Sequence, residues 1–189
     1  MDRSLVIEII SVVFGLAYLV LMMRENIWCW IFGILSSILG IYLFVEAKLY
    51  SEAILYFYYV LIGVYGWVKW SKKKNGNTLG VTTWGAKAHA LILVVGFALS
   101  FLLGYTFNRF SDAEKPFIDS TTSIFSFIAS YLEAHKILSS WIFWIVINGI
   151  SIWLYFVRGL EVYAGLMVLY FILSFAGYFQ WKRSYEASV

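Results

Sequence analysis

Apolar residues run along this chain in long blocks, broken by short charged connections. A membrane-crossing helix needs about 20 mostly apolar residues. Blocks of that size predict seven helical spans: Leu5–Met23, Ile27–Val45, Glu52–Trp70, Ala86–Phe107, Pro116–Glu133, Leu138–Val157 and Glu161–Trp181. The blocks do not alternate polar with apolar, which excludes a transmembrane β-barrel. The connections are Arg24-Glu25, Glu46-Ala47-Lys48, Ala134-His135-Lys136 and Arg158-Gly159. One loop is longer, Ser71–Trp84, and carries Lys72-Lys73-Lys74-Asn75-Gly76-Asn77.

The pattern repeats. Residues 7–70 moved forward by 111 fall on 118–181 without a gap. Trp30-Ile31-Phe32 lands on Trp141-Ile142-Phe143, Glu8 on Asp119, Tyr59 on Tyr170, Gly66 on Gly177 and Trp70 on Trp181. Leu49 and Leu160 match in the same way. Duplicated halves in a membrane protein point to a transporter with its substrate held where the halves meet. Three helices per half and one linking helix predict a 3+1+3 plan with parallel repeats, SWEET-like, in a single transmembrane domain. Repeat one is 5–70, the linker loop and fourth helix 71–115, and repeat two 116–183.

Composition agrees with a membrane protein. The chain has 189 residues, 62% hydrophobic and 13% charged, against about 25% charged in soluble domains. No small-residue cleavage site follows the first block, so it reads as a retained helix. The single cysteine, Cys29, excludes an intrachain disulfide and a cysteine-rich metal site. Lysine and arginine mark the cytosolic side. Arg3, Lys48, Arg109, Lys115 and Arg158 lie on the N-terminal side. Arg24, Lys69, Lys72, Lys73, Lys74, Lys87, Lys136, Lys182 and Arg183 lie on the other. The N-terminus is therefore expected outside and the C-terminus in the cytosol. Lys72–Lys74 reads as a topology signal rather than a nucleic-acid patch, so no nucleic-acid partner is expected.

Candidate catalytic chemistry is sparse. His89 and His135 stand at span ends without the convergent partners of a metal site, so no metal, cofactor or enzyme activity is expected. Glu8, Glu46, Glu52 and Asp119 sit near span ends. A proton-coupled pump normally places a carboxylate deep in a span, and its absence favours a passive carrier. A receptor-like or intramembrane-enzyme reading lacks the matching features.

Aromatic residues are abundant: 9 Trp, 14 Tyr and 16 Phe. A belt at the membrane–water boundary accounts for most of Trp28, Trp30, Trp67, Trp70, Trp84, Trp141 and Trp181. The sixth span differs. Trp141, Trp144 and Asn148 share a helix face by spacings of three and four. Asn148 lies about 10 Å deeper than Trp141, at about 1.5 Å rise per residue. An amide at that depth either joins helices or meets a polar substrate group. Indole faces beside it suit an aromatic, cationic ring. Tyr59-Gly63-Gly66-Trp70 and Tyr170-Ser174-Gly177-Trp181 share one spacing. Their small residues serve close packing, and Tyr56, Tyr59 and Tyr170 can line a path.

Trp141-x-x-Trp144-x-x-x-Asn148, Gly159-Leu160 and Gly177-Tyr178-x-x-Trp181 resemble the PnuC family of bacterial vitamin transporters. Glu46-Ala-Lys-Leu-Tyr50-Ser-Glu-Ala53 and Tyr65-Gly66-Trp67-x-x-Trp70 share the resemblance. It implies a multi-pass inner-membrane carrier for nicotinamide riboside, an NAD precursor. Uptake would be facilitated diffusion, with the vitamin trapped by cytosolic phosphorylation. Substrate would be held by Trp141, Trp144 and Asn148. Tyr56 stands where the resemblance leads one to expect Gln, which makes thiamine a rival substrate. A SWEET-like sugar carrier shares the architecture. Glycine and serine faces suit internal packing or a homo-oligomer equally well.

Overall fold

The structure is a computed structural model and describes residues 3–46, 50–72, 78–110, 115–159 and 161–188. Ala47, Lys48, Leu49, Lys73, Lys74, Asn75, Gly76, Asn77 and Leu160, used above, lie outside the described residues. Seven helices follow in order: α1 Arg3–Met23, α2 Cys29–Glu46, α3 Tyr50–Ser71, α4 Ala86–Phe110, α5 Pro116–Ala134, α6 Ser140–Val157 and α7 Glu161–Glu186. They form the expected all-helical 3+1+3 order, and among the described residues extended structure is limited to a lone bridge between Thr82 and Ile137.

Six of the helices are long and apolar enough to cross a membrane. The exception is α5, whose first turns carry Asp119, Ser120, Thr121, Thr122 and Ser123. Its 19 residues still reach about 28 Å at about 1.5 Å each. Ser120, Ser126, Ser130 and Glu133 are buried, so these four polar side chains turn into protein rather than lipid.

The helix ends explain why the spans start and stop where they do. The apolar block from Ile27 becomes helix only at Cys29, because Asn26 Oδ1 accepts the Trp28 N–H at 3.0 Å and holds a turn. Before it, α1 closes with Glu25 N–H to Met22 O and Asn26 N–H to Leu21 O, both 3.0 Å. This is a Schellman closure, and it places Glu25 at φ 53°. The α5–α6 turn is the same object 111 residues on. Lys136 N–H meets Glu133 O and Ile137 N–H meets Leu132 O, both 2.9 Å, with Lys136 at φ 52°. After α6, Gly159 takes φ +70°, the left-handed conformation that glycine adopts without strain.

The chain forms two compact units. The first holds Met1–Val81, Glu133–Lys136 and Phe179–Val189. In it Trp30 lies on Gly66, where a Cβ would come within 2.4 Å of the indole. Trp70 Nε1 donates to Ala134 O at 3.1 Å, and Trp181 Nε1 donates to Met22 O at 3.0 Å. Lys136 Nζ sits 2.8 Å from Glu25 Oε2 and 4.4 Å from the Trp70 ring centre. Tyr18 OH donates to Glu133 Oε2 at 2.9 Å.

The second unit holds Thr82–Leu132 and Ile137–Tyr178. Its core is Phe125, Ala129 and Ile147, with Ile128, Phe143 and Trp144 packed against them. Gly96 and Gly104 let α4 approach α5, since a Cβ would meet Phe125 at 2.8 Å and Phe117 at 2.6 Å. Arg158 Nη2 pairs with Asp119 Oδ2 at 2.8 Å. The rest of α4 turns outward, with Leu91, Val94 and Phe101 exposed, as a lipid-facing surface requires.

One expectation needs correction. Trp30, Trp70, Trp141 and Trp181 are not belt residues: all are buried, the most exposed at 5%. Their rings cover glycines or their N–H groups reach helix-end carbonyls, so packing rather than lipid holds them. Trp28, by contrast, is 56% exposed and fits a belt. Glu133, in the last turn of α5, is 1% exposed.

Candidate functional site

The candidate residues of the second unit gather on α6 and α7. Trp141 is fully buried, its ring edge on Gly177, where a Cβ would lie 2.5 Å from Cη2. The same contact in the other repeat is Trp30 on Gly66. Trp144, one turn further along α6, is half-buried against the Phe125 cluster. Another turn on, Asn148 is buried, and its Nδ2 donates to Ser174 Oγ at 3.2 Å. Ser174 in turn donates to Tyr170 O at 2.7 Å. Tyr170 thus joins the group through its backbone carbonyl, with its ring half-buried.

Tyr56 and Tyr59 belong to the first unit. Their rings make an edge contact at 5.8 Å. Tyr56 also meets Phe44 at 4.9 Å and covers Gly40, where a Cβ would come within 2.4 Å of it. Tyr56 is therefore packed against its own neighbours within that unit.

A cavity of about 680 Å³ opens among α4, α5 and α6, with His89, Phe97, Thr121 and Phe125 in its wall. From α6 it takes Ile142, Phe143, Val146, Ile147 and Ile150, not Trp144 or Asn148. His89 bonds Ser139 Oγ at 2.8 Å, and His135 bonds the Tyr65 hydroxyl at 2.9 Å. No cluster of His, Cys, Asp and Glu suited to a metal occurs among the described residues.

Sequence reasoning missed several of these groups. It treated Ser174 only as a small packing residue. It passed over Glu25, Glu133 and Tyr18, whose partners are remote in sequence. One signal for Ser174 was available: in the repeat alignment it falls opposite Gly63, just as Asn148 falls opposite Ser37.

Apolar helices in a 3+1+3 order, with a buried amide and indole on α6, define a multi-pass membrane protein of the repeat-built transporter class. The chain belongs to the nicotinamide mononucleotide transporter family, whose model matches residues 5–183. It is similar to the nicotinamide riboside transporters PnuC of Escherichia coli (strain K12) and Shigella flexneri. Each is 25% identical over 195 residues, covering 89% of this chain and 80% of the relative. The crystal structure of the vitamin B3 transporter PnuC shares the fold, with TM-score 0.79 and 20% identity over 96% of this chain and 82% of that one.

Proposed function

We propose that this protein carries nicotinamide riboside across the bacterial cytoplasmic membrane by facilitated diffusion. Cytosolic phosphorylation then traps the vitamin for NAD synthesis. The N-terminus lies outside and the C-terminus, on the lysine-rich side, in the cytosol. The protein performs no catalysis itself. The two repeats rock about the substrate, opening to each face in turn.

The observation that supports the site best is the buried Asn148 amide one helical turn from Trp144. A buried amide demands partners, and an indole face beside it attracts a cationic ring. Trp144 stacks on the pyridinium ring and Asn148 bonds its carboxamide. Trp141, enclosed on Gly177, supports this face from below. Tyr170 joins this face through its bond from Ser174. The name of the similar transporters supports nicotinamide riboside as the substrate. Tyr56 keeps thiamine as a second substrate to be tried, because a phenol replaces an expected amide.

Titration of the purified protein by tryptophan fluorescence tests this directly. Nicotinamide riboside is expected to bind and thiamine to bind more weakly. Trp144→Ala and Asn148→Ala should each weaken binding by tenfold or more, about the effect of one lost buried contact. Full affinity in the Asn148→Ala protein would remove the site assignment, and tighter thiamine binding would exchange the substrate.

A further inference from the structure

The hydrogen bonds around Asn148 have a direction, and that direction bears on specificity. A serine hydroxyl has one proton to give. Ser174 gives its proton to Tyr170 O, at 2.7 Å, the back-bond that serines make within helices. Only lone pairs remain on Oγ, and Asn148 Nδ2 donates to them at 3.2 Å. Turning the amide over would put Oδ1 against Oγ, with no proton between two acceptors unless Ser174 gave up its bond to Tyr170 O. Ser174 therefore holds the amide one way round. Among the described residues the Asn148 side chain makes no other hydrogen bond. Its Oδ1 keeps both lone pairs.

The repeat supplies a second, independent observation. The tryptophan-on-glycine contact occurs in both halves, Trp30 on Gly66 and Trp141 on Gly177. The amide–hydroxyl pair occurs in one. Its counterparts are Ser37 and Gly63, and there α2 meets α3 through Ile34, 2.6 Å from where a Gly63 Cβ would be. Helix packing at this position thus needs neither the amide nor the hydroxyl. Both differ from their counterparts in the half that carries Trp144.

We infer that Ser174 is a positioning residue that fixes the Asn148 amide with Oδ1 toward the ligand, so that the site selects a neutral carboxamide over a carboxylate. This rests on Asn148 belonging to the substrate site. A carboxamide offers an N–H to Oδ1. A carboxylate offers only another acceptor, carrying negative charge, and a buried mismatch of that kind is strongly penalised. The prediction separates nicotinamide riboside from nicotinic acid riboside, which differ only at this group.

Both ribosides would be titrated against the purified wild type, Ser174→Ala, Ser174→Thr and Asn148→Ala proteins. Wild type is expected to favour the carboxamide by tenfold or more. Ser174→Ala frees the amide to turn and should narrow that ratio by about tenfold. Ser174→Thr keeps a hydroxyl able to back-bond and should restore it. Ser174→Gly copies the first repeat and serves if the alanine protein does not fold. An unchanged ratio in Ser174→Ala or Ser174→Gly overturns the positioning role while leaving the site standing. Unchanged affinity in Asn148→Ala removes the site instead.

Discussion

Two glycines matter because of what covers them. Gly66 and Gly177 lie beneath Trp30 and Trp141, with a Cβ reaching 2.4 and 2.5 Å from the rings. Neither indole can retreat, since both are almost completely buried. Gly66→Ala and Gly177→Ala should therefore each destabilise the protein by about 1–3 kcal/mol, the usual penalty of overpacking. Thermal unfolding in detergent would register this as a lowered midpoint. The matched Trp and Gly pairs were visible in the sequence at a fixed offset, but their meaning was not. A tryptophan at a span end looks the same in a string of letters whether it faces headgroups or a glycine. Ser174 is similar, because its value lies in a bond to Asn148, 26 positions away.

At the scale of elements, the turns that follow α1 and α5 are copies held by different chemistry. Each puts a non-glycine residue in the left-handed region, Glu25 at φ 53° and Lys136 at φ 52°. Those two residues then pair at 2.8 Å, with side-chain exposures of 21% and 7%. Removing one partner leaves a poorly solvated charge. Lys136→Met and Glu25→Gln should each cost about 1–3 kcal/mol, below a fully buried pair because Glu25 keeps some water. The double variant should lose less than the sum, and a double-mutant cycle of unfolding free energies measures the difference. The helices themselves were plain from the apolar blocks, with ends displaced by a few residues where turns intervene, as at Cys29. The pairing was not visible, because nothing in sequence joins positions 25 and 136.

For the whole molecule, the seven-helix order and the repeat follow from hydropathy and the 111-residue offset. Only α5 departs, and its buried serines show why a span can be polar. One consequence reaches the stability of the folded protein. His135, in the α5–α6 turn, is harder to protonate than usual because burial and the Lys69 charge disfavour its cationic form. The unfolded chain then takes up this proton first. Stability from this group is complete above pH 6.5, the ordinary histidine value, and is lost as pH falls through the lower folded value. Melting curves across that interval should show a shallow acid-side decline that His135→Gln reduces. The effect is modest because much of the ring is solvated.

The pair between Glu25 and Lys136 has an implication for how such a protein can be assembled. The two positions correspond, one in each half. Two identical three-helix halves meeting the same way would bring glutamate to glutamate or lysine to lysine. A chain that carries both copies can place opposite charges on corresponding positions. The bridge thus labels the halves as distinct. Exchanging the charges, with Glu25→Lys and Lys136→Glu together, should restore much of the stability that either change alone removes.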